Sequence, residues 1–116
     1  MSQTPLDIRA YSEMKEIMEE VLPELLKTFI DYMPGLLDDL NKAIAANEPD
    51  QLFSISHRMK SSSNSLGALG LAHTCESIEL IGRAGKTDGA SELSTQLEEA
   101  LNEVLEFFKE ELKALG

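Results

Sequence analysis

The sequence predicts an all-α protein, an antiparallel four-helix bundle with a short additional N-terminal helix, built as a single domain over residues 1–116 with its core between about 5 and 113. Three observations carry this. Apolar residues recur at three- and four-residue steps along four long stretches, which is the period of one helix face. No segment shows the two-residue alternation of a half-buried strand. Short Gly-, Pro- or Asn-containing connections separate the stretches, and amphipathic helices joined in this way bury their stripes best against one another.

Thr4-Pro5-Leu6-Asp7 reads as the first helix start, with Thr4 as N-cap, Pro5 at the first helical position and Asp7 at the positive end of the dipole. Leu6, Tyr11, Met14, Ile17 and Met18 follow at roughly helical spacing. The second helix carries the strongest stripe: Leu22, Leu25, Leu26, Phe29, Met33, Leu36, Leu37, Leu40 and Ile44. Pro34 lies inside it and removes the hydrogen bond to residue 30, so a kink is expected, with the stripe keeping phase across it. Asn47-Glu48-Pro49-Asp50 supplies a turn and a new start, after which Leu52, Ile55, Met59, Ser62 and Leu66 form the inner face of a third helix. A fourth helix runs from about Leu71 through Cys75 and Ile78 to Ile81 or Gly82, and stops at Gly85-Lys86-Thr87-Asp88-Gly89. The last uses Leu93, Leu97, Leu101, Val104, Phe108 and Leu112 and is rich in Glu outside. A few residues at each end are expected to be disordered.

Composition narrows the function. With 10 Lys and Arg against 21 Asp and Glu, the formal charge is −11, which disfavours nucleic acid and anionic lipid as partners and points to proteins or small molecules. One Cys cannot form an internal disulfide, and Cys75 falls on an apolar stripe as core filling. No signal peptide is visible in MSQTPLDIRA, and no run approaches the ~18 apolar residues of a membrane span, so a cytoplasmic location is expected. Four stripes in one chain can close a bundle alone, which predicts a monomer.

One segment departs from this bland picture. Residues 51–75 contain no Asp or Glu, where the average acid density of the chain would place about 4.5, and with Arg58 and Lys60 the window is weakly basic. Such a patch on an acidic protein is where an anion can sit. At 100° per residue His57 lies about 160° from Ile55 and about 140° from Leu52, outside the core, with Lys60 and Ser61 beside it on the same outer face. An unperturbed imidazole, with a pKa of about 6.5, is mostly neutral at pH 7 and can act as a nucleophile through one ring nitrogen. Lys60 can then stabilise a phosphoryl group on it, and as an exposed cation it is expected to affect stability by no more than about 0.5 kcal/mol. A metal site from His57, His73 and Cys75 has no recognised ligand spacing. Arg83 and Lys86, near a helix end, read as dipole-compensating surface charges.

The string His57-Arg58-Met59-Lys60-Ser61-Ser62-Ser63-Asn64-Ser65-Leu66-Gly67-Ala68 resembles the signature of histidine-containing phosphotransfer domains: His, an apolar residue two on, Lys at +3, Gly at +4, Ser, and a closing Leu-Gly-Ala. Leu71 to Gly85, with Cys75, Glu79, Gly82 and Arg83, resembles the family's next helix, and Phe29, Pro34, Leu37 and Leu40 its preceding one. The likeness spans about residues 10–112. The chain departs from the pattern at Ser61, where Gly usually leaves room above the imidazole. The resemblance implies a phosphocarrier. His57 would accept a phosphoryl group from the aspartyl phosphate of a receiver domain in a hybrid sensor kinase and pass it to an Asp of a response regulator. No cofactor is implied, any Mg²⁺ being held by the receiver, and no autophosphorylation from ATP, since no Gly-rich nucleotide loop is present. The partner surface is expected around His57, on the third, fourth and leading helices, with Met14 and Phe53 as apolar contributors and Arg58 and Asn64 at the rim. Two alternatives stand beside it: a non-catalytic helical adaptor in which His57 is incidental, and the phosphoacceptor and dimerisation fragment of a sensor histidine kinase.

Overall fold

The computed structural model describes residues 4–115; the end residues expected to be disordered, 1–3 and 116, lie outside them. Among the described residues five helices follow one another: α1 Ile8–Ile17, α2 Leu22–Ala45, α3 Pro49–Ser65, α4 Leu69–Arg83 and α5 Ala90–Leu115. The four long ones close a ring in which α2 packs on α3, α3 on α4, α4 on α5 and α5 back on α2. The inward stripes supply the core, with Leu22, Leu26, Leu40, Leu52, Leu71, Leu97 and Phe108 all fully buried. Each such side chain stabilises the fold by about 1.5–3 kcal/mol relative to exposure.

The first helix starts later than Thr4 implies. Asp7 is the N-cap, its carboxylate accepting from the Ala10 backbone N–H at 2.9 Å, and Thr4 and Pro5 belong to a non-helical lead-in that bends at Pro5 and Leu6. Tertiary bonds explain the delay. The Leu71 N–H donates to the Pro5 carbonyl at 3.1 Å and the Asp7 N–H to the Gly67 carbonyl at 2.9 Å, pinning the segment over the α3–α4 turn. Gly67, at φ +78°, lets the chain pass there, since a Cβ would come within 2.5 Å of the Tyr11 nitrogen. Tyr11 then locks α1 to α5: its ring meets Phe107 edge-on at 5.3 Å and its hydroxyl donates to Glu111 Oε1 at 2.8 Å.

The α2 helix continues unbroken through Pro34, which lies on the exposed side where water can satisfy the carbonyl that the proline leaves free. Leu25, counted on the inner stripe from spacing, lies at its edge and is exposed. On α3 the inward serine is Ser63, not Ser62; Ser63 and Ser56 are buried and donate to the carbonyls four residues back, Met59 and Leu52. Small groups there allow α4 to approach closely. At Gly82 a Cβ would come within 2.7 Å of the Phe53 nitrogen, so this helix pair requires glycine.

Candidate functional site

The outer face of α3 presents His57, with its side chain 55% exposed. Beneath it stands a residue that the acid-free stretch of sequence gives no hint of. Glu79 of α4 is 1% exposed, and its two carboxylate oxygens are shared between the two functional candidates of α3: Oε2 lies 2.5 Å from His57 Nδ1 and Oε1 lies 2.6 Å from Lys60 Nζ. Burial alone would push the Glu79 carboxyl up; the hydrogen bonds and positive charge of Lys60 and His57 outweigh it and hold it below its ordinary 4.5. Glu79 is therefore ionised at neutral pH. An ionised carboxylate only accepts, so Nδ1 carries the ring hydrogen and Nε2 is the nitrogen left with a lone pair.

Lys60 is consequently not the freely exposed cation that helix geometry alone suggests. It is half-buried, at 23% exposure, and tied to a buried charge, so its loss must cost stability. Ser61 is exposed one turn from His57, and among the described residues its hydroxyl makes no protein hydrogen bond. Phe53, one turn before His57, is half-buried with its ring nearly parallel to the imidazole, 14° apart and 5.9 Å between centroids. The Arg83 guanidinium sits 5.4 Å from the Phe53 ring centre, so Arg83 has a partner on α3 beyond any part in offsetting the α4 dipole. Arg58 and Asn64 are exposed, Met14 packs half-buried against the core, and His73 is exposed on α4. Cys75 is fully buried and its thiol is pushed up to about 12, chiefly by burial, which keeps it a core side chain and not a nucleophile. Among the described residues no group of three or more His, Cys, Asp or Glu could hold a metal ion.

Residues 24–107 match the family described as the Hpt domain. The chain belongs to the Hpt family. Its fold is shared with histidine-containing phosphotransfer protein B of Pseudomonas aeruginosa, at 32% identity and a TM-score of 0.88 over 95% of this chain and 96% of that one. It is shared also with the Hpt domain of a sensor hybrid histidine kinase from Shewanella, at 17% identity and a TM-score of 0.79 over 95% of both chains. No curated protein matches by sequence. This Hpt protein is thus a phosphocarrier of a phosphorelay, working with receiver domains and response regulators. Among its described residues no helix is long and apolar enough to cross a membrane.

Beside the site, on the opposite flank of α3 from Glu79, a groove of about 580 Å³ runs between α2 and α3. Met18, Leu25, Tyr32, Arg58, Ser62 and Ser65 are among its walls. Leu25 and Tyr32, seven apart, share the outer face of α2 and with Met18 of the preceding turn form an exposed apolar strip along the groove; Val21 in that turn is exposed as well. Spacing alone assigns Leu25 to the core and so hides this strip.

Proposed function

We propose that His57 Nε2 is the phosphoacceptor, with Glu79 holding the ring in the reactive tautomer. The observation that carries this is the short contact between the buried Glu79 carboxylate and Nδ1, which turns the other nitrogen outward with its lone pair free. The Nε2 lone pair forms the N–P bond while the P–O bond of the incoming aspartyl phosphate breaks, its electrons returning to the aspartate carboxylate. The ring keeps its Nδ1 hydrogen and gains positive charge, which Glu79 faces and stabilises. In the second transfer an Asp of the next receiver attacks phosphorus, the N–P electrons return to Nε2, and the neutral ring is restored. Lys60 keeps Glu79 ionised and, with ammonium hydrogens beyond the one it gives Glu79, adds positive charge next to the phosphoryl oxygens.

The donor in this reading is the receiver of a hybrid sensor kinase and the acceptor a response regulator. Each must cover His57, and the α2–α3 groove with its apolar strip extends the docking face beyond Phe53, Met14, Arg58 and Asn64 to Met18, Val21, Leu25 and Tyr32. Any Mg²⁺ belongs to the receiver's own acids. The ring of four long helices buries its apolar stripes without a second copy, which supports a monomer, and a cytoplasmic location belongs to the same reading. The test is incubation with a receiver bearing labelled aspartyl phosphate. The wild type should acquire acid-labile label; His57→Gln should acquire none while keeping its helicity. Label persisting in the variant, at His73 for example, would overturn the assignment.

A further inference from the structure

Resting on His57 as the acceptor, we infer that Arg83 is a second cation for the phosphorylated ring, stored on the Phe53 face until the phosphoryl group arrives. The need for it follows from charge. Lys60 and Glu79 are bonded at 2.6 Å and cancel, so the inner site is electrically neutral before transfer, which places up to two negative charges on the phosphoryl group against the one positive charge gained by the ring. The other cation beside His57 in sequence, Arg58, faces away, lining hollows on the α2 side with Asp39, Gln51 and Leu36.

Arg83 is placed by the register of α3 against α4. Phe53 and His57 are one turn apart on α3; Arg83 and Glu79 are one turn apart on α4. Glu79 meets His57, and Arg83 meets Phe53. The guanidinium lies 5.4 Å from a ring whose centre is 5.9 Å from the imidazole centre, so Arg83 and His57 share Phe53 as a neighbour, and a swing of the long arginine side chain off that ring has to close the gap to a phosphoryl group on Nε2. It is exposed and has no ion-pair partner among the described residues, so only the stacking contact holds it back. A guanidinium on an aromatic face keeps its in-plane N–H groups free for oxygen acceptors, which suits a fork onto phosphoryl oxygens. Gly82 fixes the approach, because any side chain there would push α4 away from Pro49 and Phe53.

The experiment uses the whole chain phosphorylated with phosphoramidate and followed by ³¹P NMR against pH, for wild type, Arg83→Gln and Arg83→Lys. A cation that binds the dianion lowers the second phosphoryl pKa, so Arg83→Gln should raise it by about 0.5 unit, the size of an exposed ion pair. The phosphohistidine half-life should fall about twofold, with Arg83→Lys lying between the two. Thermal melting of the unphosphorylated variants should match wild type. A phosphoryl pKa and half-life unchanged in Arg83→Gln would overturn the role of Arg83 and leave His57 standing. Absence of a phosphohistidine signal in the wild type would instead remove the reading on which this role rests.

Discussion

Replacing Lys60 with Ala isolates the buried charge that organises the site. Its Nζ sits 2.6 Å from a carboxylate oxygen of a residue 1% exposed, so the variant leaves Glu79 with half its neutralising partners. Removing one member of a buried ion pair costs about 3–5 kcal/mol. Here Glu79 keeps the His57 bond and water can enter where the 23% exposed Lys60 stood, so a loss of about 2–3 kcal/mol is expected, equivalent to about 8–12 °C in Tm for a domain of this size. Urea denaturation at pH 7 measures it. The deficit should shrink as pH falls, because a stranded Glu79 is relieved by protonation. Lys60→Met combined with Glu79→Gln should recover part of the loss, since the uncompensated charge is then gone. A loss below about 0.5 kcal/mol in Lys60→Ala, the value expected of a surface lysine, would refute the buried-pair account.

Glu79→Gln should leave the protein folded but slow phosphotransfer about 10- to 100-fold, because an amide can turn its N–H₂ toward Nδ1 and favour the tautomer with hydrogen on Nε2; an unchanged single-turnover rate would contradict this. Glu79 and Glu111 are both held below 4.5 in the fold, so the stability they contribute is complete above that pH and is lost as pH falls through their folded values; urea titrations from pH 7 to 3 should show the decline and a flat profile would contradict it. At the other extreme, burial together with the bond to Glu111 raises Tyr11 above its ordinary 10, so its contribution holds below pH 10 and is lost as pH climbs through the folded value. Ser61→Gly should speed transfer or widen the range of accepted receivers at a helix cost of roughly 0.5 kcal/mol, as measured by transfer from several phosphorylated receivers; slower transfer in the folded variant would show that the hydroxyl helps hold the phosphoryl group.

The helices and their inner faces were legible because burial writes itself as spacing: Leu22 to Leu40 and Leu97 to Phe108 are apolar where the core needs them. His57 was legible for the converse reason, as a residue off its stripe in a stretch without acids. Glu79 was not read from spacing, since the pairing that gives it meaning joins residues 22 apart on different helices. A signal was present even so: Glu79 stands four residues after Cys75 and three before Gly82, so an acid occupies the buried face of α4. On a chain with 21 acids, one more glutamate looks like surface. Ser62 and Ser63 could not be told apart by hydropathy, and the lead-in from Thr4 follows contacts with Gly67, Gly70 and Leu71 that no local capping rule contains.

The central claim is that Glu79 holds the hydrogen of His57 on Nδ1 and leaves Nε2 to take the phosphoryl group. Long-range ¹H–¹⁵N NMR of the imidazole, recorded on the ¹⁵N-labelled protein before and after phosphorylation, tests it most directly. The account predicts a hydrogen on Nδ1 in the unmodified protein at neutral pH and phosphorus coupling to Nε2 afterwards. Hydrogen on Nε2 beforehand, or phosphorus on Nδ1, would contradict it.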